Sequence, residues 1–266
     1  MKIWQVVLII NAMSFVLARI FWRLTGRLSA KLEASWTKRP GRVIRGEVFV
    51  LSPGNLAQPE KAFRFLFPRL RGKRCIYLKF KMIGWSPRST VNSVLKAVAE
   101  ADKVIVFSIS LGDHIARGLE GLMIQRELNI CAINPCPSRR ALKIQWRWLL
   151  TIFGPVFWLL SHAIGWLSII PFIPGTGGKY SLVLLADQYM VLVYNRAPKY
   201  CVRTKWLVLS EKDELLDNGY LSYLYKRARI AWTPTGHADT VGKSSVFSCV
   251  VAGLMRTAKQ GGDANE

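Results

Sequence analysis

Acidic side chains are scarce in this chain of 266 residues, which has 16 of them against 38 lysines and arginines, a formal net charge of +22. None occurs between Glu60 and Glu100, or between Glu127 and Asp187. A field of this sign attracts phosphate-rich partners, either nucleic acid or an anionic lipid surface. The sequence lacks RNP, zinc-finger and helix-turn-helix motifs, which argues against nucleic acid. Because the ten tryptophans lie in apolar runs, we expect an anionic membrane surface as partner.

Cysteine and histidine are also few. The five cysteines are odd in number and lack the spacing of metal ligands: Cys75, Cys131, Cys136, Cys201 and Cys249. We expect them to be small buried residues in a reducing compartment, with no metal site and no cofactor. The three histidines are His114, His162 and His237, and they limit the choice of a general base.

The first of two long apolar segments covers residues 3–22 and is about long enough to span a bilayer, although Asn11 and Arg19 interrupt it. Positive charge follows mostly on its C-terminal side. This pattern favours an uncleaved anchor in residues 1–30, with the rest of the chain membrane-associated on the cytoplasmic side. A cleaved signal peptide is the alternative, because residues 16–18 offer the spacing of a cleavage site.

The second apolar segment covers residues 148–174, and His162 is its only ionisable side chain. Hydropathy alone predicts a transmembrane helix here. We expect Gly154-Pro155, Gly165 and Pro171 to divide the segment into short helical pieces. A broken hairpin lying in the membrane interface is therefore the alternative.

Strand and helix patterns alternate in the rest of the chain, which is long enough for one domain with a full core. Strands are predicted at residues 43–52, 74–80, 103–109, 129–135, 204–210 and 228–234. A helical turn region is predicted at 59–70, and helices at 89–102, 111–126, 214–227 and 240–258. Ser89 or Thr90 is the expected cap of the first full helix. The alternation predicts an α/β domain, a mostly parallel sheet with helices on both faces.

Three polar side chains follow strands at the edge of such a sheet where ligands gather: Ser110, Asp213 and His237. A serine hydroxyl is a poor nucleophile at neutral pH. Acyl transfer therefore needs an imidazole to take its proton and a carboxylate to orient the imidazole. The three residues supply this set.

The order Ser110, Asp213, His237, with the serine on a tight strand-to-helix turn, resembles the α/β-hydrolase superfamily. The family's nucleophile elbow, G-x-S-x-G, reads S-I-S-L-G at residues 108–112, with serine in place of the first glycine. Residues 235–240, TGHADT, look like the Gly-His turn. Residues 210–216, SEKDELL, look like the acid loop.

The stretch LSPGN, residues 51–55, stands where the family's oxyanion loop follows an early strand, with Pro53 in place of the usual histidine. The resemblance implies that the backbone N–H groups of Asn55 and Leu111 form the oxyanion hole. It also implies a core of residues 43–138 and 204–258. Residues 139–203 occupy the slot of an inserted hydrophobic cap, or lid, and residues 259–266 are expected to be a flexible tail.

A single crossing of the bilayer by residues 148–174 is incompatible with this triad, because it would separate Ser110 from Asp213 and His237. We therefore expect a cap that dips into the interface, with four basic residues on lipid headgroups: Arg139, Arg140, Lys143 and Arg147. A buried cap core without lipid contact is the alternative.

Simpler roles stay open for individual residues. Ser110 could merely cap the following helix. Asp213 could belong to a solvated charge cluster, with Asp217 as the reserve acid. Asp113 and His114 are expected to be helix-surface or packing residues.

The resemblance implies a membrane-associated serine carboxylic-ester hydrolase that cleaves or transfers the acyl group of a hydrophobic or lipid ester. A non-catalytic protein of the same fold that binds lipid or a partner is the alternative. Acyl-chain length, headgroup and oligomeric state stay open.

Overall fold

The computed structural model describes residues 46–54, 62–64, 66–79, 87–123, 127–164 and 201–237, together with 31–34 and scattered positions in 5–17 and 169–192. Asn55, Cys249, the predicted helix 240–258 and the predicted tail 259–266 lie outside these residues.

Within the described residues, seven strands form one sheet in the order β1-β3-β2-β4-β5-β8-β9. They are β1 (Lys31–Ala34), β2 (Gly46–Ser52), β3 (Cys75–Lys79), β4 (Ala101–Ile109), β5 (Glu127–Ile133), β8 (Thr204–Ser210) and β9 (Arg229–Thr233). A separate two-stranded pair consists of β6 (Ile169–Ile170) and β7 (Tyr180–Ser181). All neighbours in the large sheet are parallel except β1, which pairs antiparallel with β3. The predicted mostly parallel sheet is confirmed, and β1 is an edge strand that the sequence pattern did not predict.

The central strands are apolar because both faces of the sheet are covered. In β4, every residue from Val104 to Ile109 is buried. One face packs against α2 (Pro87–Ala97), α3 (Asp113–Leu122) and α5 (Asn218–Leu224). The other face packs against Phe63, Leu66 and Leu70, which lie in and just before the short helix α1 (Phe67–Leu70). This two-sided core confirms the predicted placement of helices.

Helix α2 corrects the prediction that Ser89 or Thr90 caps it, because the helix already begins at Pro87. Proline suits the first helical position, since its fixed φ matches the helix and its missing N–H would have had no partner there. Ser89 and Thr90 therefore lie inside the first turn.

Helix α4 (Ile144–Ile164) corrects a second prediction, because it runs through Gly154-Pro155 without a break. A proline inside a helix removes one hydrogen bond and costs about 3 kcal/mol. Gly154 and Pro155 are both buried, and tertiary packing of this kind is the main source of helix stability in proteins.

Among the residues that the structure describes, no helix combines the length and the apolar character needed to cross a bilayer.

Candidate active site

Ser110 directly follows strand β4 and lies in a sharp turn. Ser110 has a φ of 48°, in the left-handed region that residues other than glycine rarely adopt. A single 3₁₀ turn, Ser110–Gly112, then leads into α3. Strain at such a position, of order 1–3 kcal/mol, is found where function requires an unusual backbone.

The end of β2 packs closely against this turn. A Cβ atom at Gly112 would clash with the carbonyl oxygens of Ser52 and Pro53, so only glycine allows this approach. A Cβ at Gly54 would lie 3.1 Å from the Ser110 Cβ. The predicted oxyanion loop therefore begins beside the serine.

The side chain of Ser110 caps no helix, because the N-cap of the 3₁₀ turn is Ile109 and the N-cap of α3 is Gly112. Its Oγ lies 3.1 Å from Nε2 of His237. Nδ1 of the same ring lies 2.7 Å from Oδ2 of Asp213. The structure thus brings the three predicted residues together in a continuous hydrogen-bonded row.

Asp213 is buried, which excludes the solvated charge cluster as its setting. Its second carboxylate oxygen, Oδ1, accepts hydrogen bonds of 2.9 Å from the backbone N–H groups of Leu215 and Leu216. Burial alone raises the pKa of this carboxyl. The hydrogen bond and charge of His237, followed by the amides of Leu216 and Leu215, outweigh burial and hold the pKa below its ordinary value. Asp213 is therefore ionised at neutral pH.

Asp217, the reserve acid of the sequence analysis, has a different role. Its side chain accepts a hydrogen bond of 3.0 Å from the backbone N–H of Tyr220 and so caps helix α5. The carboxylate that faces His237 belongs to Asp213.

Two further polar residues hold the histidine turn and were missed by the sequence analysis. Oε2 of Glu214 accepts a 3.2 Å hydrogen bond from the backbone N–H of His237. Asn134, directly after β5, donates from Nδ2 to Ser210 Oγ at 2.7 Å and to the His237 carbonyl oxygen at 3.3 Å. An asparagine just after a buried strand, on the same edge as Ser110, is a signal that could have identified it.

A buried polar network lies under the turn and accounts for the serine that replaces the first glycine of the elbow. Ser108 Oγ donates to Oδ1 of Asp113 at 3.2 Å. The other oxygen of Asp113 accepts from the Tyr225 hydroxyl at 2.5 Å and forms an ion pair of 3.3 Å with Arg117 Nε. Asp113 is thus a packing residue, fully buried rather than on the helix surface.

His114, next along α3, is also buried. Burial lowers the pKa of its imidazole from 6.5 to about 4, although the charge of Asp113 and a hydrogen bond with the backbone of Cys136 act in the opposite direction. The ring is therefore neutral at neutral pH, and it is a packing residue.

Leu111 and Asn55 are the two residues predicted to form the oxyanion hole. Leu111 is buried in the 3₁₀ turn, directly after Ser110. Asn55 lies outside the described residues, and its role stays a prediction.

Four of the five cysteines are buried as free thiols: Cys75, Cys131, Cys136 and Cys201. Within the described ranges, no three histidine, cysteine or acidic side chains are grouped so that they could hold a metal ion.

The parallel sheet, the strained serine turn after β4 and the later strands leading to Asp213 and His237 define the α/β-hydrolase fold, and the chain has this fold. Solved structures that it resembles include a hydrolase from Oleispira antarctica, with a TM-score of 0.57 at 10% identity over 87% of this chain and 96% of that one. A thermophilic esterase from Thermogutta terrifontis has a TM-score of 0.59 at 9% identity, over 85% and 93% of the two chains.

A bromoperoxidase from Bacillus anthracis has a TM-score of 0.57 at 11% identity, over 85% of this chain and 94% of that one. No family model and no curated protein matches the sequence. Because one fold can support different reactions, these structures establish the architecture, and the reaction must be inferred from the site.

Proposed function

We propose that the protein is a serine hydrolase that cleaves a hydrophobic carboxylic ester, with Ser110 as nucleophile, His237 as general base and Asp213 as the orienting acid. The observation that supports this most is the row of two hydrogen bonds, 3.1 Å and 2.7 Å long, that joins the three side chains. The buried and ionised Asp213 stabilises the imidazolium that forms when His237 accepts a proton.

The reaction follows from this arrangement. Nε2 of His237 takes the proton of Ser110 as Oγ bonds to the ester carbonyl carbon. The oxyanion is stabilised by backbone N–H groups, for which Leu111 and Asn55 are our candidates. The bond to the alcohol then breaks, and the alcohol leaves with the proton from His237. Water, activated in the same way, releases the acid from the acyl-enzyme, and another acceptor in its place would make the protein an acyltransferase.

The surface of α4 supports the proposal that the substrate is associated with a membrane. Large apolar side chains are exposed along this helix: Ile144, Trp146, Trp148, Leu149, Ile152, Phe153 and Leu160. Arg139 and Arg140 are exposed just before it. We propose that this face lies in an anionic membrane interface, where each basic residue contributes about 1 kcal/mol of binding.

The N-terminal segment also supports a location at the membrane. The described positions within residues 5–17 are helical, and most of their apolar side chains are exposed. We propose that residues 1–30 form the membrane anchor, with the domain on the cytoplasmic side.

A fluorophosphonate probe, which labels activated serines, tests the proposed reaction. We expect labelling of the detergent-solubilised protein to be lost in Ser110→Ala. Ser108→Ala is the matched control, because the Ser108 hydroxyl donates to Asp113, and labelling should persist there. A folded protein that is not labelled at all would favour the non-catalytic lipid-binding alternative.

A further inference from the structure

Lys143, the residue before α4, and Trp146 in the first turn of α4 are hydrogen-bonded to the acid loop, residues 210–216. The backbone N–H of Lys143 donates to the carbonyl oxygen of Leu215 at 2.8 Å. The Lys143 ammonium donates to the carbonyl oxygen of Asp213 at 2.6 Å. One turn further, Nε1 of Trp146 donates to the carbonyl oxygen of Glu214 at 3.1 Å.

The acid loop in turn holds His237 at two points. Asp213 binds the imidazole ring through Oδ2, and Glu214 accepts the backbone N–H of the same residue through Oε2. The Lys143 ammonium and the Trp146 indole bind the backbone carbonyl groups of these same two residues. A shift of the loop backbone would therefore move both supports of the histidine.

The orientation of the Asp213 carboxylate also depends on this backbone. Its Oδ1 is fixed by the N–H groups of Leu215 and Leu216, and the carbonyl of Leu215 is bound by Lys143. A charged donor makes a stronger hydrogen bond than a neutral one. Lys143 thus holds the acid loop at two carbonyl groups, one on Asp213 itself.

We propose that Lys143 is a positioning residue for the catalytic acid, and that Trp146 assists it. This inference rests on the proposed function, in which Asp213 orients His237. Lys143 acts through the backbone of Asp213, so its loss should impair the chemical step and leave substrate binding unchanged. A misplacement of about 1 Å at a catalytic group can lower the rate about 100-fold.

The first test compares Lys143→Met with Lys143→Arg on a water-soluble short-chain ester. We expect kcat to fall about 10- to 100-fold in Lys143→Met, with KM within about twofold of the original. Lys143→Arg retains a charged donor and should restore most of kcat. Lys205→Met is the matched control, because Lys205 is an exposed lysine at the opposite end of β8, and it should leave kcat unchanged.

The second test introduces Lys143→Met into an Asp213→Asn background. If Lys143 acts through Asp213, the second substitution should lower kcat by less than about twofold further. The same fold loss in both backgrounds, or a rise in KM with kcat unchanged, would overturn the proposal.

Trp146→Phe tests the proposal independently of whether Lys143→Met folds. It removes the donor to Glu214 and keeps an aromatic ring, and we expect a smaller loss of kcat that again disappears in the Asp213→Asn background. If the parent protein is active and kcat is unaltered in both Lys143→Met and Trp146→Phe, the positioning role is rejected and the proposed function is not. A parent protein without esterase activity or fluorophosphonate labelling would instead reject the proposed function.

Discussion

At the scale of single residues, the candidate site depends on three side chains from three separate parts of the chain. The sequence could indicate them because each follows a predicted strand at the same edge of the sheet. Asn134 also follows a strand at this edge, and the same argument could have identified it. Glu214 could not be identified in this way, because its contact with His237 depends on how two loops fold back over the edge.

Asp213→Asn should lower kcat by about four orders of magnitude, because an amide at this position favours the wrong histidine tautomer. The fold should be retained. Asp217→Asn is the matched control, since Asp217 caps α5 and the change should cost at most about 1 kcal/mol of stability with kcat retained. Steady-state kinetics and thermal melts would check both. A silent Asp213→Asn beside an inactive Asp217→Asn would show that the acid has been wrongly assigned.

At the scale of secondary-structure elements, periodicity located the six strands from β2 to β9 in the large sheet to within a few residues. The observed β8, Thr204–Ser210, has the predicted bounds. Local signals failed where packing outweighs them. Gly154-Pro155 does not end α4. Strand β1 pairs at the edge of the sheet, and its four residues are too few for a sequence pattern to predict it.

The exposed face of α4 should bind anionic vesicles even after residues 1–30 are removed. We expect the double variant Trp148→Asn/Phe153→Asn to abolish co-sedimentation, because both side chains are more than half exposed, at 61% and 59%. Arg139→Gln should weaken binding about fivefold, the equivalent of about 1 kcal/mol.

Tyr223→Asn is the control for these variants, since Tyr223 is 67% exposed on α5. Vesicles of neutral lipid should bind less protein, and added salt should reduce binding to the anionic ones. Equal losses in the Tyr223 and α4 variants would show that α4 is not the contact surface.

At the scale of the whole molecule, stability is linked to pH through buried groups such as His114. Its pKa is about 4 in the folded protein, against 6.5 for an unperturbed histidine. Between these values the unfolded chain binds more protons than the folded one. The stability contributed by the neutral ring is therefore complete above about pH 6.5 and is lost as the pH falls towards 4.

We expect the free energy of unfolding to decrease by about 3 kcal/mol across this range on account of His114 alone. Denaturant titrations in detergent between pH 7.5 and 4.5 would measure it. His114→Gln removes the titrating group, so its stability should depend less steeply on pH, whatever its absolute value. Parallel slopes for the two proteins would assign the acid sensitivity to other residues.

Strand β1 limits how far the domain can stand from a membrane. Its pairing with β3 fixes residues 31–34 to the sheet edge, and thirteen residues separate Leu17 from Lys31. Even a fully extended chain of this length reaches at most about 50 Å. If residues 1–30 anchor the chain as proposed, the triad serves only the membrane to which it is tethered. The rate of hydrolysis would then depend on the surface density of the ester in that membrane, not on the concentration of the ester in water.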